Sequence, residues 1–388
     1  MLDWIIVGGG IHGTYLSNHL LKSGRTANEN LMVIDPHDQP LAFLDIGAGA
    51  LIRYAKTRAQ GKSEFYSRFR RPSLALFNSH CSHVVVTEKL EEVRLKARAT
   101  SVKMTAGHYV VDTTAGAFAA KNIVLSLGHD CISTPLWASE LLETNAPIAH
   151  IFSSQFQRVC ARDWTKAVVI GGGISAAQLA LSLAKKRPGS VSLLHARNLK
   201  TSQFDADPCW LDKRCLKLLT RENDFARRRR IVDHARNWGT FPEDVRRHLD
   251  SVLQDGSLQC IENSVLSAAG DASQVKLCLL DGTVIEADLV ILATGFERCL
   301  PGGDFLKTVI DNLSLPCAPC GFPLTDKDLR WQKNFFVTGA LAELQVGPIS
   351  RNIVGARLAS ELIASADIPR KHRPRELSYY YFGKRRSG

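Results

Sequence analysis

The sequence contains no run of about 18 uninterrupted apolar residues, the length a membrane-spanning helix needs, so no membrane span is expected. Its first residues, MLDWIIVGGG, have neither a basic stretch nor a small-residue cleavage site, and their apolar run leads straight into glycines. No secretory signal is expected there, and the reading is a soluble, cytoplasmic protein. No Ser-His-Asp constellation stands out, so no catalytic residue is nominated. A metal site is not expected either: Cys317-Ala-Pro-Cys320 is the one close cysteine pair, and no second pair stands at zinc-ligand spacing. The ten cysteines, spread from Cys81 to Cys320 and mostly inside apolar segments, suit free thiols better than a bridged framework. Cys317 and Cys320 then read as incidental thiols in a proline-rich loop. Basic residues exceed acidic ones, 49 to 38 for a net charge of +11, yet they are not interleaved with aromatics. Arg227 to Arg230 therefore read as a solvated helix face, and residues 371–388 as a basic tail, with no nucleic-acid partner expected.

The 388 residues are enough for two domains. With 45% hydrophobic and 22% charged residues, the composition is that of an ordinary globular protein. Residues 4–7 (Trp-Ile-Ile-Val) run into Gly8-Gly9-Gly10-Ile11-His12-Gly13, and Tyr15, Leu16, His19 and Leu20 follow at helical spacing. The pattern reads strand, tight turn, helix, and a second strand over residues 31–34 then ends at Asp35. Residues 167–170 repeat it, entering Gly171-Gly172-Gly173-Ile174-Ser175-Ala176 before Leu179, Leu181 and Leu183. The strand after that loop ends at His195-Ala-Arg197.

The repeat extends further. Residues 116–128 and 282–295 each read as a glycine turn, a half-buried strand, a polar break at Lys121 or Asp288, and an apolar strand ending in glycine. Gly8 to Gly128 spans 120 residues and Gly171 to Gly295 spans 124. Matched order and spacing predict two related nucleotide-binding units of α/β class. A further strand at residues 335–337 reaches Thr338-Gly339, and Gly347-Pro348 then opens a helix with proline in its first turn. The expected layout is a discontinuous Rossmann-like domain at 1–158 and 286–370, a second such domain inserted at 159–285, and the basic tail.

In such a unit the first glycine permits the tight turn, the second lets backbone approach a pyrophosphate, and the third allows close helix-strand packing. Gly8, Gly10 and Gly13 fill those positions, Ile11 and His12 open the helix whose N-terminus faces the phosphates, and Asp35 stands where a carboxylate accepts ribose hydroxyls. In the second loop Gly171 and Gly173 keep the first two positions, and Ala176 takes the packing position. Ile174 and Ser175 open that helix. His195 replaces the ribose-binding acid and Arg197 follows it, a pairing that suits the 2′-phosphate of NADPH.

Asp288-Leu-Val-Ile-Leu-Ala-Thr294-Gly295-Phe296, with Pro301 five residues on, resembles the D-x-x-x-L-A-T-G-[YF]-x-x-x-x-[HP] motif of the lysine and ornithine N-hydroxylases. The flavin-containing monooxygenases carry a related form. The segment from Thr338-Gly339 to Gly347-Pro348, followed by Arg351-Asn352, is similar to the C-terminal flavin-binding strand and helix of bacterial relatives of these enzymes. The resemblance implies FAD at the first loop, with Gly128, Gly339, Gly347 and Pro348 also on the flavin, and NADPH at the second, with Thr294 and Gly295. It further implies a monooxygenase in which a flavin C4a-hydroperoxide oxygenates a nucleophilic nitrogen or sulfur of a small molecule, with O2 as co-substrate. The segment from His150 to Trp164 departs from the monooxygenase pattern F-x-G-x-x-x-H-x-x-x-[YF], sharing only the neighbourhood of His150 and Phe152. An FAD-dependent NAD(P)H dehydrogenase or oxidase fits the same two loops, and so does a non-enzymatic flavin-bearing redox sensor. A disulfide reductase would need a cysteine pair against the flavin, and no cysteine lies near the first helix. The residues do not define an oligomeric state.

Overall fold

The computed structural model describes residues 1–37, 49–58, 64–67, 69–129, 131–211 and 214–366. The basic tail of residues 371–388 lies outside them. The chain divides into two compact units, one of Met1–His129, Ala206–Ala235 and Leu300–Gly388, the other of Asp130–Asp205 and Arg236–Cys299.

The first unit is built on a sheet that runs, in spatial order, through strands Arg330–Gln332, Phe335–Val337, Gly116–Leu125, Leu2–Val7, Leu31–Asp35 and Arg94–Lys96. The central strands are parallel, with Trp4 opposite Leu31 and Val7 opposite both Ile34 and Leu125. Ile5, Ile6, Val33, Ile123, Val124, Phe335 and Phe336 are essentially inaccessible. That fits a parallel sheet covered on both faces, whose strands are apolar throughout instead of alternating. Residues 116–125 form one strand and not the two expected. Its first half pairs with the hairpin strand His108–Thr113 and its second half with Leu2–Val7. Lys121 does not break it: the residue is exposed, and its ammonium reaches Asp3 at 2.8 Å.

The second unit holds a five-stranded parallel sheet in the order Gln259–Glu262, Val191–His195, Ala167–Ile170, Leu289–Leu292, Ile148–His150. Here the expected break at Asp288 exists. Its carboxylate accepts from the backbone N–H groups of Thr165 and Lys166, both at 2.8 Å, and from the Thr165 hydroxyl.

The compact units do not follow the expected boundaries. Residues 130–158 and 286–299 go with the second unit because strands Ile148–His150 and Leu289–Leu292 pair in its sheet. Ala206–Ala235, which sequence order places inside the second unit, packs as part of the first. Its Trp210, Leu219 and Val232 enter the core of that unit. Proline also plays a different part near the C-terminus. Pro348–Arg351 is a short 3-10 turn, and the α-helix starts only at Ile353, where the Asn352 side chain accepts from the N–H groups of Val354 and Gly355.

Candidate dinucleotide sites

At the first loop, the Gly8 N–H donates to Ile34 O at 2.9 Å, tying the turn to the end of the neighbouring strand. Gly8 has φ +107, and a Cβ there would stand 2.3 Å from Ser126 O, so only glycine fits. A Cβ on Gly13 would meet Gly8 O at 1.9 Å, which is the close helix-strand contact expected of the third glycine. Gly10 caps the helix Ile11–Lys22 with no side-chain cap, and a Cβ built on it meets nothing within 4 Å. Open space above unpaired helix N–H groups is what a pyrophosphate requires. Asp35 is buried at the strand end; Oδ2 accepts from Gly9 N–H at 2.6 Å and Oδ1 from His37 N–H at 2.8 Å. Each oxygen keeps a second lone pair for a ribose hydroxyl. These residues therefore fit the diphosphate and ribose of a dinucleotide.

Thr338 and Gly339 come to the same loop from the far end of the unit. His12 Nδ1 lies 2.9 Å from Thr338 Oγ1, and a Cβ on Gly339 would stand 3.7 Å from the His12 ring and 3.8 Å from Leu127 O, next to Gly128. Burial pushes the His12 pKa down to about 4, partly opposed by a hydrogen bond to the Arg351 backbone. The ring is thus neutral at physiological pH. Gly347 is placed differently: a Cβ there would stand 2.7 Å from the Trp210 ring, so the glycine packs against a side chain and presents no open face. Pro348 is buried beside it, and Ile11 packs against the cluster of Tyr15, Val84 and Ala356.

The sequence reading missed a charged network in this unit. Glu343 is fully buried and accepts from Arg229 Nη1 at 2.6 Å and from Arg351 Nε, while Arg351 Nη1 also meets His129 Nε2. Burial works to lower the Arg229 pKa, but Glu343 and Asp233 outweigh it and the net shift is upward. Arg228 is buried too, donating to Glu222 O at 2.6 Å, Leu344 O at 3.2 Å and Gln345 Oε1 at 3.0 Å. Arg228 and Arg229 are therefore not part of a solvated face. The available signal was Glu343 itself, a lone acid in the apolar stretch Gly-Ala-Leu-Ala-Glu-Leu.

The second loop repeats the contacts of the first glycine. The Gly171 N–H donates to Leu194 O at 2.9 Å, and a Cβ there would meet Ala293 O at 2.4 Å. Gly173 caps the helix Ile174–Lys186, with Gly239 Cα 3.6 Å from where its Cβ would stand. Ile174 is exposed, Ser175 half-buried, and Ala176 buried at the packing position. His195 is buried and engaged within the fold, its Nδ1 on Arg197 O at 2.9 Å and its Nε2 on Cys260 Sγ at 3.1 Å. It thereby fixes the backbone of Arg197, whose side chain is exposed. Thr294 Oγ1 donates to Ser133 O at 2.5 Å, and Gly295 O accepts from Ser133 N–H at 2.9 Å, so both residues bind a neighbouring segment. His150 is buried, and burial lowers its pKa; next to it, Phe152 stacks on Phe296 at 4.8 Å between centroids. Also unforeseen is Trp238, with Arg298 at 4.7 Å and Arg236 at 5.4 Å from its ring centroid.

Cys317 and Cys320 are not bonded to each other; Cys317 is half-buried with Leu315 O 3.6 Å from its sulfur, and Cys320 is exposed. The expectation of free thiols throughout needs a correction, because Cys209 and Cys215 form a disulfide. Six residues apart in sequence, their Cα atoms lie 5.3 Å apart, within bridging distance. Arg53, Tyr54 and Lys56 lie on the helix Ala50–Thr57, and Tyr54 OH is 2.9 Å from Ser79 Oγ. No helix among the described residues is long and apolar enough to cross a membrane.

Two glycine loops on parallel sheets, the first with a buried carboxylate at its strand end, are those of an FAD- and NAD(P)H-dependent oxidoreductase. The sequence matches the pyridine nucleotide-disulphide oxidoreductase family over residues 2–356, and the chain belongs to that family. No curated protein matches the sequence. Among solved structures, the chain is similar to the ornithine hydroxylase of Pseudomonas aeruginosa, with 17% identity, TM-score 0.70, and 94% of this chain and 98% of that one covered. An ornithine N-hydroxylase of a Kutzneria species, solved with reduced FAD, NADP+ and L-ornithine, has 15% identity and TM-score 0.74 over 94% and 98% of the two chains. The bacillithiol disulfide reductase of Bacillus cereus has 19% identity and TM-score 0.59 over the same shares. At these identities the likeness is one of fold.

Proposed function

We propose that the protein is an FAD- and NADPH-dependent monooxygenase that transfers one oxygen atom from O2 to a nucleophilic nitrogen, or sulfur, of a small molecule. For an amine the reaction balances as R–NH2 + O2 + NADPH + H+ giving R–NHOH + H2O + NADP+. The observation that carries the choice of FAD and NADPH is the charge contrast between the two loops. At the first, Asp35 closes the strand end with a carboxylate suited to ribose hydroxyls; at the second, buried His195 removes that negative charge and holds exposed Arg197 at the same place. A 2′-phosphate would be repelled at the first site and attracted at the second. The higher fold similarity to the N-hydroxylases than to the disulfide reductase, TM-score 0.74 against 0.59, supports oxygenation over disulfide reduction.

When bound, the flavin supplies hydride acceptance and O2 activation. Gly10 leaves room for its diphosphate, Asp35 takes its ribose, and neutral His12 with Thr338 and Gly339 closes the space beyond the loop. The substrate is a small molecule, and eight free cysteines suit a reducing, cytoplasmic compartment. Anaerobic reduction by NADPH, followed by mixing with 18O2 and a panel of primary amines and thioethers, tests the proposal. Label in one organic product supports it. Hydrogen peroxide matching the NADPH consumed with every candidate means an oxidase, and failure of NADPH to bleach the flavin means a non-enzymatic flavoprotein.

A further inference from the structure

The Cys209–Cys215 bridge joins two short elements whose side chains converge on one glycine. Cys209 lies in the 3-10 turn Pro208–Trp210, and Cys215 in the helix Arg214–Arg221. Trp210, next to Cys209, is buried with its ring 2.7 Å from the position of a Gly347 Cβ, and Leu219 of the helix lies 3.5 Å from the same point. Gly347 in turn separates the helix Glu343–Val346 from the turn Pro348–Arg351. Those two elements supply Glu343 and Arg351, and the turn Gly339–Ala342 that leads into Glu343 follows Thr338, whose hydroxyl lies 2.9 Å from His12 Nδ1 at the first glycine loop. A contiguous path therefore leads from the disulfide, through Trp210 and Leu219, to the loop that fits the dinucleotide.

The bridge lies within its segment and ties the Trp210 turn to the Leu219 helix. Arg228 and Arg229 hold the other end through Leu344, Gln345 and Glu343. Opening the disulfide would uncouple the Trp210 turn from the Leu219 helix while the arginines keep the segment docked. Cys209 and Cys215 are both half-buried. The other eight cysteines are free, so the fold is not built on a disulfide framework.

We propose that Cys209–Cys215 is a reversible redox site, opened by a dithiol reductant, that sets how firmly the Ala206–Ala235 segment is seated on Gly347 and hence how tightly the first loop retains its dinucleotide. In the opening step a dithiol attacks one sulfur, the mixed disulfide resolves, and two electrons and two protons pass to the cysteines while the reductant leaves as its cyclic disulfide. A small-molecule disulfide closes the bridge by the reverse exchange.

The test uses the full-length flavoprotein, equilibrated in dithiothreitol redox buffers. Thiols are counted in denaturant after acid quenching, the Lys217 and Arg221 bonds are probed with trypsin, and flavin release is timed after dilution. Eight thiols are expected in the oxidised protein and ten after mild reduction, returning to eight on reoxidation. Reduction should speed cleavage at Lys217 and Arg221 and flavin release at least several-fold, and Cys209→Ser/Cys215→Ser should behave as the reduced protein in every buffer. Ten thiols without reductant, a bridge that opens only on unfolding, or cleavage and release rates indifferent to reduction would each overturn the proposal. None of these readouts uses substrate or O2, so they stand or fall separately from the monooxygenase reading.

Discussion

His12 offers a direct test of the first loop, because its perturbation is simply a proton. The unfolded ring titrates near 6.5 and the folded ring near about 4, held down by burial. Between those values the unfolded chain binds more protons than the folded one, so stability falls as the pH falls across that window. The full effect, about 2.5 pKa units at 1.36 kcal/mol each, is on the order of 3 kcal/mol. At pH 5 roughly 2 kcal/mol of it is already lost, since the unfolded ring is then almost fully protonated and the folded ring is not. His12→Asn keeps a polar partner for Thr338 and cannot titrate. Urea unfolding of flavin-depleted protein at pH 7.5 and pH 5.0 should show the parent losing about 2 kcal/mol more than the variant over that interval. Flavin-depleted protein is specified because a bound diphosphate would stabilise the charged ring and lift its pKa. Parallel losses in the two proteins, or a His12 ring proton titrating above pH 5.5 by NMR, would refute the reasoning that the ring is buried and neutral.

Gly10→Val should leave the fold intact, since its Cβ meets nothing within 4 Å, yet abolish flavin retention by filling the space of the diphosphate; absorbance of the purified variant reports it. Arg197→Ala should raise the NADPH concentration needed for anaerobic flavin reduction by about 10-fold, the lower end for a charge-assisted contact because the guanidinium is exposed, and leave NADH nearly unchanged. Cys317→Ser with Cys320→Ser should keep NADPH-dependent flavin reduction within a few-fold of the parent, whereas loss of turnover with flavin retained would make the pair a reductase dithiol. Glu343→Gln should cost about 3 kcal/mol or more in urea unfolding, because two partly buried guanidiniums lose their shared countercharge; an unchanged midpoint would show that water replaces the carboxylate.

Both glycine loops, their strands and their helices were legible in the residues. Each is specified within some thirty consecutive positions by apolar strand, glycine spacing and helical periodicity. The structure adds that the first glycines are equivalent in contact: Gly8 on Ile34 and Ser126, Gly171 on Leu194 and Ala293. Asp35 could be placed as well, at the end of the second strand, where its carboxylate accepts from the Gly9 N–H of the loop. His195 could be placed but its role could not be foreseen, since its second partner, Cys260, is 65 residues away. Arg228 and Arg229 look like any basic run on a helix until Leu344, Gln345 and Glu343 are known to surround them.

The sequence by itself determined the two dinucleotide-binding βαβ units and the charge contrast at their strand ends. These follow from backbone limits on glycine and from side-chain period, which act between near neighbours. Only the tertiary structure decided that Ala206–Ala235 belongs with the first unit, that Gly347 serves Trp210, and that Cys209 is bonded to Cys215 and not left free. The Trp210–Gly347 and Arg229–Glu343 contacts join segments more than a hundred residues apart. Which distant surface buries an aromatic ring or neutralises a guanidinium depends on the packing of the whole chain and leaves no local pattern to read.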